Sequence, residues 1–269
     1  MSPSGAVISE LHELKDLLQL QALLAAIWER PNDPPINSDL LRALAYSGNY
    51  VAGARVGGRL VGGVVGWLGV RAANELHMHS HILGVVAGVQ VAGVGFELKQ
   101  DQRRWCLERG VKTVEWTTDP LVRRNAYFNL TKLGAHASEY LVNFYGAMAD
   151  GLNAGEESDR LLISWELDSP RAKAAAEGRG AEPDVGALLR DGAVAILSVG
   201  PAGEPVVGKA SGARVLICQV PDDIVALRHA DPAIARAWRV AVRKAMVDAF
   251  AAGYRVSGAT RTGWYVLQR

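Results

Sequence analysis

The sequence predicts a mixed α/β protein, and three observations support this fold class. Leucines recur at helical spacing near the N-terminus, two extended runs rich in valine and glycine follow, and extended and helical stretches then alternate. We expect an α/β fold in the broad sense of an α+β mixed sheet. Because many functions share such a fold, the pattern alone does not identify the activity.

The first predicted helix covers residues 10–28, and a cluster of prolines beginning at Pro31 ends it. Ser38 and Asp39 can cap a second helix over residues 40–46. Two strands are then predicted around Gly57 and Gly58, which suit a hairpin turn. The predicted strands are residues 50–56, 59–70 and 76–85.

Helices and strands alternate from residue 96 onward, with helices over 96–109 and 124–133 and strands over 111–117 and 137–145. The stretch 169–184, rich in Ala, Gly, Glu and Arg, predicts a mobile connector. The further predicted elements are strands 159–167, 193–199 and 213–220, a helix 232–251, and extended pieces 254–256 and 264–267. We therefore expect a core over residues 1–150 and a C-terminal α/β extension or second domain over residues 151–269.

Composition narrows the functional classes. The 269 residues carry a net charge of +1, which gives no electrostatic reason to expect nucleic acid or an acidic membrane as partner. Cys106 and Cys218 lack metal-type spacing and suit free buried thiols in a reducing cytosol. No secretory signal is visible, and Arg55 and Arg59 interrupt the apolar run that could otherwise resemble a membrane span. We expect a cytoplasmic protein without a metal site.

The most informative stretch runs from His79 to Gly95, where a strand leads through a glycine-bearing loop into a helix. A helix start carries unpaired N–H donors and a partial positive charge, which suit a phosphate. Glycine lets the phosphate approach the backbone closely. A phosphate loop beside histidines indicates group transfer from a phosphorylated carrier.

The loop pattern Gln90-x-x-Gly93-x-Gly95 resembles the Q/R-x-x-G-x-G/A signature of the GNAT N-acyltransferases, and residues 125–135 resemble the motif that closes the core of that family. The resemblance implies a GNAT-like acyltransferase fold over the N-terminal part. It also implies that the loop holds the pyrophosphate of acyl-CoA and that the backbone of Val85 pairs with the pantetheine arm. Asn125 could bond that arm or only cap its helix. The loop residues concerned are Gln90, Val91, Ala92, Gly93, Val94 and Gly95.

His77, His79 and His81 alternate along one predicted strand and should share one face of it. His79-x-His81 is similar to the H-x-H of serotonin N-acetyltransferases, a GNAT branch in which it serves as the base for the amine. A neutral imidazole can accept an ammonium proton, so His79 and His81 are the candidate bases. The alternative is that the three histidines line a polar cavity without catalysis.

Leu130 stands where many GNAT enzymes have a tyrosine that serves as the general acid, so this sequence lacks the acid at that position. Tyr127, one turn earlier, is the candidate that remains. Lys99, Arg103 and Arg104 follow the loop and could support the phosphates or form a solvated helix face.

Residues 119–135, 142–146 and 159–165, with Pro221-x-Asp-Ile224 and the later Trp238 to Arg243, resemble a GNAT branch often encoded beside N-succinylamino-acid racemases. This resemblance implies transfer of an acetyl or succinyl group from acetyl-CoA or succinyl-CoA to the amine of a small acceptor, with an amino acid as a candidate. Two alternatives stay open: a non-catalytic GNAT-like module that binds acyl-CoA, and a loop that holds a different nucleotide. A homodimer also stays open.

Overall fold

The computed structural model describes residues 4–71, 74–88, 92–146, 157–209 and 212–269, and these form two compact units. The first unit contains the described residues up to Trp116, and the second contains those from Thr117 onward. Each unit combines helices with a sheet that has both antiparallel and parallel pairs, so the predicted α/β fold class is confirmed. The predicted domain boundary near residue 150 remains a prediction.

The first unit follows the order of helices and strands that the GNAT resemblance implies. Its strands pair in the order β1-β2-β3-β4-β5, antiparallel except for β4 with β5. The sequence predicted the bounds of β2, β3 and β4 correctly but not the short strand β1. The elements are β1 (Val7–Glu10), α1 (Leu14–Ile27), α2 (Ser38–Tyr46), β2 (Tyr50–Val56), β3 (Arg59–Val70), β4 (Leu76–Val85), α3 (Val94–Glu108) and the first part of β5 (Thr113–Thr118).

Helices cover both faces of this sheet. On one face α1 and α2 bury leucines against Val51, Val65 and Ile82, and the leucines include Leu20 and Leu24. On the other face α3 brings Cys106 Sγ to 3.5 Å from Met78 Sδ. A slip by one residue would move the buried Met78 to the face that carries the histidines, so the packing of Met78 against α3 fixes the register of β4.

The second unit is built around strands that pair in the order β7-β6-β11-β12-β10-β8-β9. Its helix α8 lies along the sheet and buries Trp238, Val242 and Met246. The elements are α4 (Arg123–Tyr127) with a π-helical continuation (Phe128–Lys132), β6 (His136–Leu141), β7 (Arg160–Glu166), α5 (Pro170–Ala176), α6 (Val185–Arg190), β8 (Val194–Val199), β9 (Pro205–Val207), β10 (Val215–Gln219), α7 (Ile224–Ala230), α8 (Pro232–Ala251), β11 (Arg255–Ala259) and β12 (Trp264–Gln268).

The prediction of a mobile connector over residues 169–184 is wrong for its first half, which forms α5. Ser169 caps this helix by accepting a hydrogen bond from the Ala172 N–H at 3.2 Å, and Pro170 occupies the first turn. Ala172 and Ala175 are buried, so the alanines serve packing and helix propensity together.

A buried ion-pair cluster lies inside the second unit. The Arg239 guanidinium donates two hydrogen bonds of 2.9 and 2.8 Å to the Asp119 carboxylate, and Arg228 donates a third of 3.0 Å. Burial alone would raise the pKa of the Asp119 carboxyl, but the Arg239 and Arg228 guanidinium groups and the Leu121 N–H outweigh it and lower that pKa to about 2. Asp119 is therefore a permanently charged anchor at neutral pH.

Cys106 and Cys218 are both free and buried, as predicted. Within the described ranges, no helix is both long and apolar enough to cross a bilayer. The same residues contain no group of three or more side chains arranged to hold a metal ion.

Candidate active site

β4 carries the candidate site, and its two edges are paired differently. It pairs with β3 along its whole length, from Leu76 to Val85. Its ladder with β5, as far as the described residues show, consists of Met78 with Val114 and His79 with Glu115. The edge of β4 from Ser80 to Val85 therefore has no partner strand on the β5 side within the first unit.

A β-bulge interrupts β4 at the histidines. Gly66 of β3 pairs with Ser80, whereas the adjacent Val65 pairs with Ile82, so His81 is the extra residue. The bulge shifts the alternation of β4, so that Ile82, the next residue, packs in the cluster formed by the leucines of α1 and α2.

The predicted sharing of one face by the histidines is confirmed by their ring contacts. The Trp67 indole lies 4.8 Å from the His79 ring and 4.7 Å from the His81 ring, and the two imidazole centroids are 5.7 Å apart. His77 pairs with Gly69 farther from the loop, and its Nδ1 is buried without a hydrogen-bond partner among the described residues. The structure therefore brings His79 and His81 together around Trp67.

Both imidazoles are kept neutral at physiological pH. Burial, followed by the charges of His81, His77 and Lys99, lowers the pKa of His79 to about 4. Burial also lowers the pKa of His81, although its side chain is the more exposed of the two. A neutral ring presents a lone pair, which a proton acceptor requires.

Glu115 joins this face, although the sequence did not point to it. It is the register partner of His79 on the parallel strand β5, so the two side chains project from the same face. The carboxylate is buried and forms an ion pair with Arg71, which follows β3. The first unit therefore combines two neutral imidazoles with a buried carboxylate, which suits the binding and deprotonation of an ammonium group.

The predicted phosphate loop enters α3 at Gly93. This N-cap residue adopts a left-handed conformation with φ 89°, and none of the described side chains caps the helix start. Ala92 and Gly93 are exposed, Val94 is buried and Gly95 is half-buried, while Gln90 and Val91 lie outside the described residues. The carboxylate of Glu97 in the first turn accepts hydrogen bonds from the N–H and the hydroxyl of Ser4. The described residues fit an anion at this helix start.

Val85 is the last residue of β4 and lies beside the start of α3. A Cβ placed on Gly95 would lie 3.8 Å from a Val85 methyl carbon. The unpaired edge of β4 therefore runs from the histidines to the glycine loop, and its backbone groups suit an extended ligand that contains amides.

The remaining predicted site residues lie in the second unit. Tyr127 ends α4, and the Arg261 guanidinium lies 5.0 Å from its ring centroid. Asn125 is exposed and does not cap α4, because Val122 holds the cap position, so the capping interpretation is wrong. Leu130, at the position of the family tyrosine, is fully buried in the π-helical turn.

Lys99 and Arg104 differ from each other in a way that the sequence left open. The Lys99 ammonium is buried and donates to Ser80 Oγ at 2.8 Å, so Lys99 does not lie on a solvated face. Arg104 is exposed and pairs with Asp101 and Glu108 along the helix. Arg104 therefore fits the solvated helix face that was one of the two interpretations.

No family model and no curated protein matches this chain. Among solved structures, it is similar to aminoglycoside 6'-acetyltransferase type Ii, with 18% identity over 61% of this chain and 98% of that chain and a TM-score of 0.47. It is also similar to the ribosomal-protein-S18-alanine N-acetyltransferase from Escherichia coli, with 15% identity over 61% and 95% and a TM-score of 0.47. Arabidopsis thaliana Naa50 in complex with a bisubstrate analogue shows 17% identity over 60% and 97% and a TM-score of 0.46. Identities this low indicate a similar fold and nothing about the reaction or the substrate.

Proposed function

We propose that this protein is a GNAT-superfamily N-acyltransferase that moves an acyl group from a coenzyme A thioester to the amine of a small acceptor. One observation carries the proposal: the unpaired edge of β4 extends from the His79–His81 pair to the uncapped start of α3. A carrier with phosphates at one end, amides in its arm and a reactive acyl group at the other end matches these three features in order.

The predicted binding residues would contact different parts of the carrier. The loop Gln90–Gly95 would hold the pyrophosphate through backbone N–H groups, and each such charge-assisted bond contributes roughly 1.5–3 kcal/mol. Val85 and the adjacent edge of β4 would pair with the pantetheine amides. When bound, the thioester supplies an activated acyl carbon.

The side chains of the first unit would handle the acceptor. Glu115 would attract the ammonium group, and His79 or His81 would accept one of its protons, which frees the nitrogen lone pair for attack on the acyl carbon. Because the pKa of His79 is about 4, its imidazole is neutral at pH 7 and can pass the proton on to water. The C–N bond forms as the C–S bond breaks, the nitrogen releases its second proton to solvent, and solvent would protonate the departing sulfur.

We further propose that the acyl group is acetyl or succinyl and that the acceptor is an amino acid. The resemblance to the branch found beside N-succinylamino-acid racemases supports acetyl-CoA or succinyl-CoA as donor and an amino acid as acceptor. The deciding experiment measures CoA thiol release with each donor against pooled L- and D-amino acids. Release that depends on one pool supports the proposal, and the faster donor identifies the acyl group.

Substitution of the histidines tests the base. We expect His79→Ala or His81→Ala to lower turnover by a factor on the order of 10²–10⁴, because a positioned proton acceptor contributes that much, while CoA affinity is retained. His229→Ala, which removes an exposed histidine of the second unit, serves as the matched control and should keep full turnover. Unchanged turnover in both site variants would remove the histidines from the mechanism.

A non-catalytic acyl-CoA-binding module is the second candidate, and a specific observation favours it. Leu130 is buried at the position of the family's acid, so no hydroxyl is available there. This candidate predicts CoA binding by calorimetry without thiol release for any amine. ATP that displaced CoA with similar affinity would instead point to a different nucleotide.

A further inference from the structure

The buried lysine of α3 has no role in the proposed chemistry so far. Lys99 is 3% exposed, and its ammonium donates to Ser80 Oγ at 2.8 Å and to Gln102 Oε1 at 3.0 Å. The same nitrogen lies 3.7 Å from the centroid of a Trp116 ring. The two hydrogen bonds join the ammonium to a residue of β4 and to a residue of its own helix.

The position of this lysine relative to the histidines indicates what the buried ammonium does. Ser80 lies between His79 and His81 and is the last residue of β4 before the bulge. Its side chain points to the α3 face, where Lys99 holds it, while the two imidazoles lie on the opposite face against Trp67. A hydrogen bond to Ser80 therefore fixes the backbone segment from which both imidazoles project.

We propose that Lys99 is a positioning residue for the His79–His81 pair, acting through its hydrogen bond to Ser80 at the bulge and through its charge across the sheet. This inference rests on the proposed function, because it assigns the histidines a reaction to serve. Lys99 touches neither donor nor acceptor in this scheme.

Several titratable and charged groups surround His79 and Lys99. His79 faces His77 and His81 on β4, Trp67 on β3, Glu115 with Arg71 at β5, and Lys99 beneath the sheet. Lys99 faces Ser80, Trp116, and Gln102 and Cys106 of its own helix. Burial lowers the pKa of Lys99 to about 7, so its charge is present below neutral pH, where the acid limb of His79 falls.

Lys99→Met removes the charge and the hydrogen bond but keeps the side-chain volume. We expect the pKa of His79, measured by NMR titration of its ring in the substrate-free protein, to rise by roughly a few tenths of a unit, because Lys99 is the smallest of the four contributions that lower it. Turnover should fall about tenfold while CoA affinity stays unchanged. The acid limb of the rate profile should move to higher pH with the imidazole.

Ser80→Ala separates the two contributions, because it keeps the ammonium and removes only its partner. It should lower turnover while the His79 titration moves less than in Lys99→Met. Lys244→Met, which removes an exposed lysine of α8, is the matched control and should change neither quantity.

The two proposals fail in distinguishable ways. An unchanged His79 titration in a folded, CoA-binding Lys99→Met protein would overturn the role of Lys99 and leave acyl transfer intact. Absence of thiol release by the unsubstituted protein would overturn the proposed function, while the substrate-free titration would still test the coupling between Lys99 and His79.

Discussion

Asp119 is a residue at which a single charge matters for stability. Its carboxylate is buried and accepts from Arg239 and Arg228. Asp119→Asn would remove the negative charge that Arg239 and Arg228 share, and breaking a buried pair in this way costs about 3–5 kcal/mol of unfolding free energy. Urea unfolding at neutral pH measures the loss. Asp248→Asn, at an exposed pair with Lys244, should change stability by less than about 0.5 kcal/mol.

The same carboxylate predicts a window of acid sensitivity. The folded-state pKa of Asp119 is about 2, below its ordinary value of 3.8. Its contribution is therefore complete above the ordinary pKa and is lost as the pH falls from about 4 to about 2. The unfolding free energy of the unsubstituted protein should fall more steeply in this window than that of Asp119→Asn. Parallel pH profiles would contradict the assignment.

At the residue scale, sequence reasoning found the histidines and missed Glu115. Alternation along one strand suffices to place His79 and His81 on one face, and the ring contacts agree. Glu115 reaches that face only through the parallel register of β5 with β4, which no local pattern specifies. The burial of Lys99 also depends on how α3 packs, so its sequence position alone left both interpretations open.

At the element scale, α3 offers a matched pair of glycines for testing the phosphate loop. Gly93 precedes the helix with φ 89° and Gly110 follows it with φ 74°, and an added Cβ meets nothing within 4 Å at either position. Valine at either site should cost about 1–2 kcal/mol in backbone strain. Only Gly93→Val should also weaken CoA binding, by about tenfold or more, because it blocks close approach to the N–H donors.

Calorimetric titration with CoA, together with thermal unfolding, measures both effects. Equal losses of CoA affinity in Gly93→Val and Gly110→Val would mean that the loss reflects stability alone. Such a result would mean that the loop does not bind CoA, which would contradict the proposed function.

The elements themselves show which signals in a sequence are sufficient. The strands β2 and β3 begin and end where predicted, because valine-rich runs bounded by glycine or turn residues are unambiguous. The helix α5 was missed because alanine, glycine and charged residues resemble a linker until the Ser169 cap and the buried alanines are known. The bulge at His81 could not be predicted, since it depends on pairing with β3.

At the scale of the whole molecule, the charges nearly cancel. The chain has 29 Lys and Arg residues against 28 Asp and Glu residues, and its isoelectric point is about 7.8. Low net charge promotes association, so solubility should be lowest near that pH and should rise on both sides. Light scattering across about pH 6 to about pH 10 checks this. A solubility that changes in one direction only over that range would contradict it.

The contact of Trp67 with both imidazoles has an optical consequence. An indole loses emission when a protonated imidazole lies against it, and Trp67 lies 4.8 and 4.7 Å from the two rings. Its fluorescence therefore reports whether the histidines are charged, and comparison with Trp67→Phe isolates its signal among the seven tryptophans. The arrangement that aligns the candidate bases thus provides an internal pH indicator, readable in the resting protein without donor or acceptor.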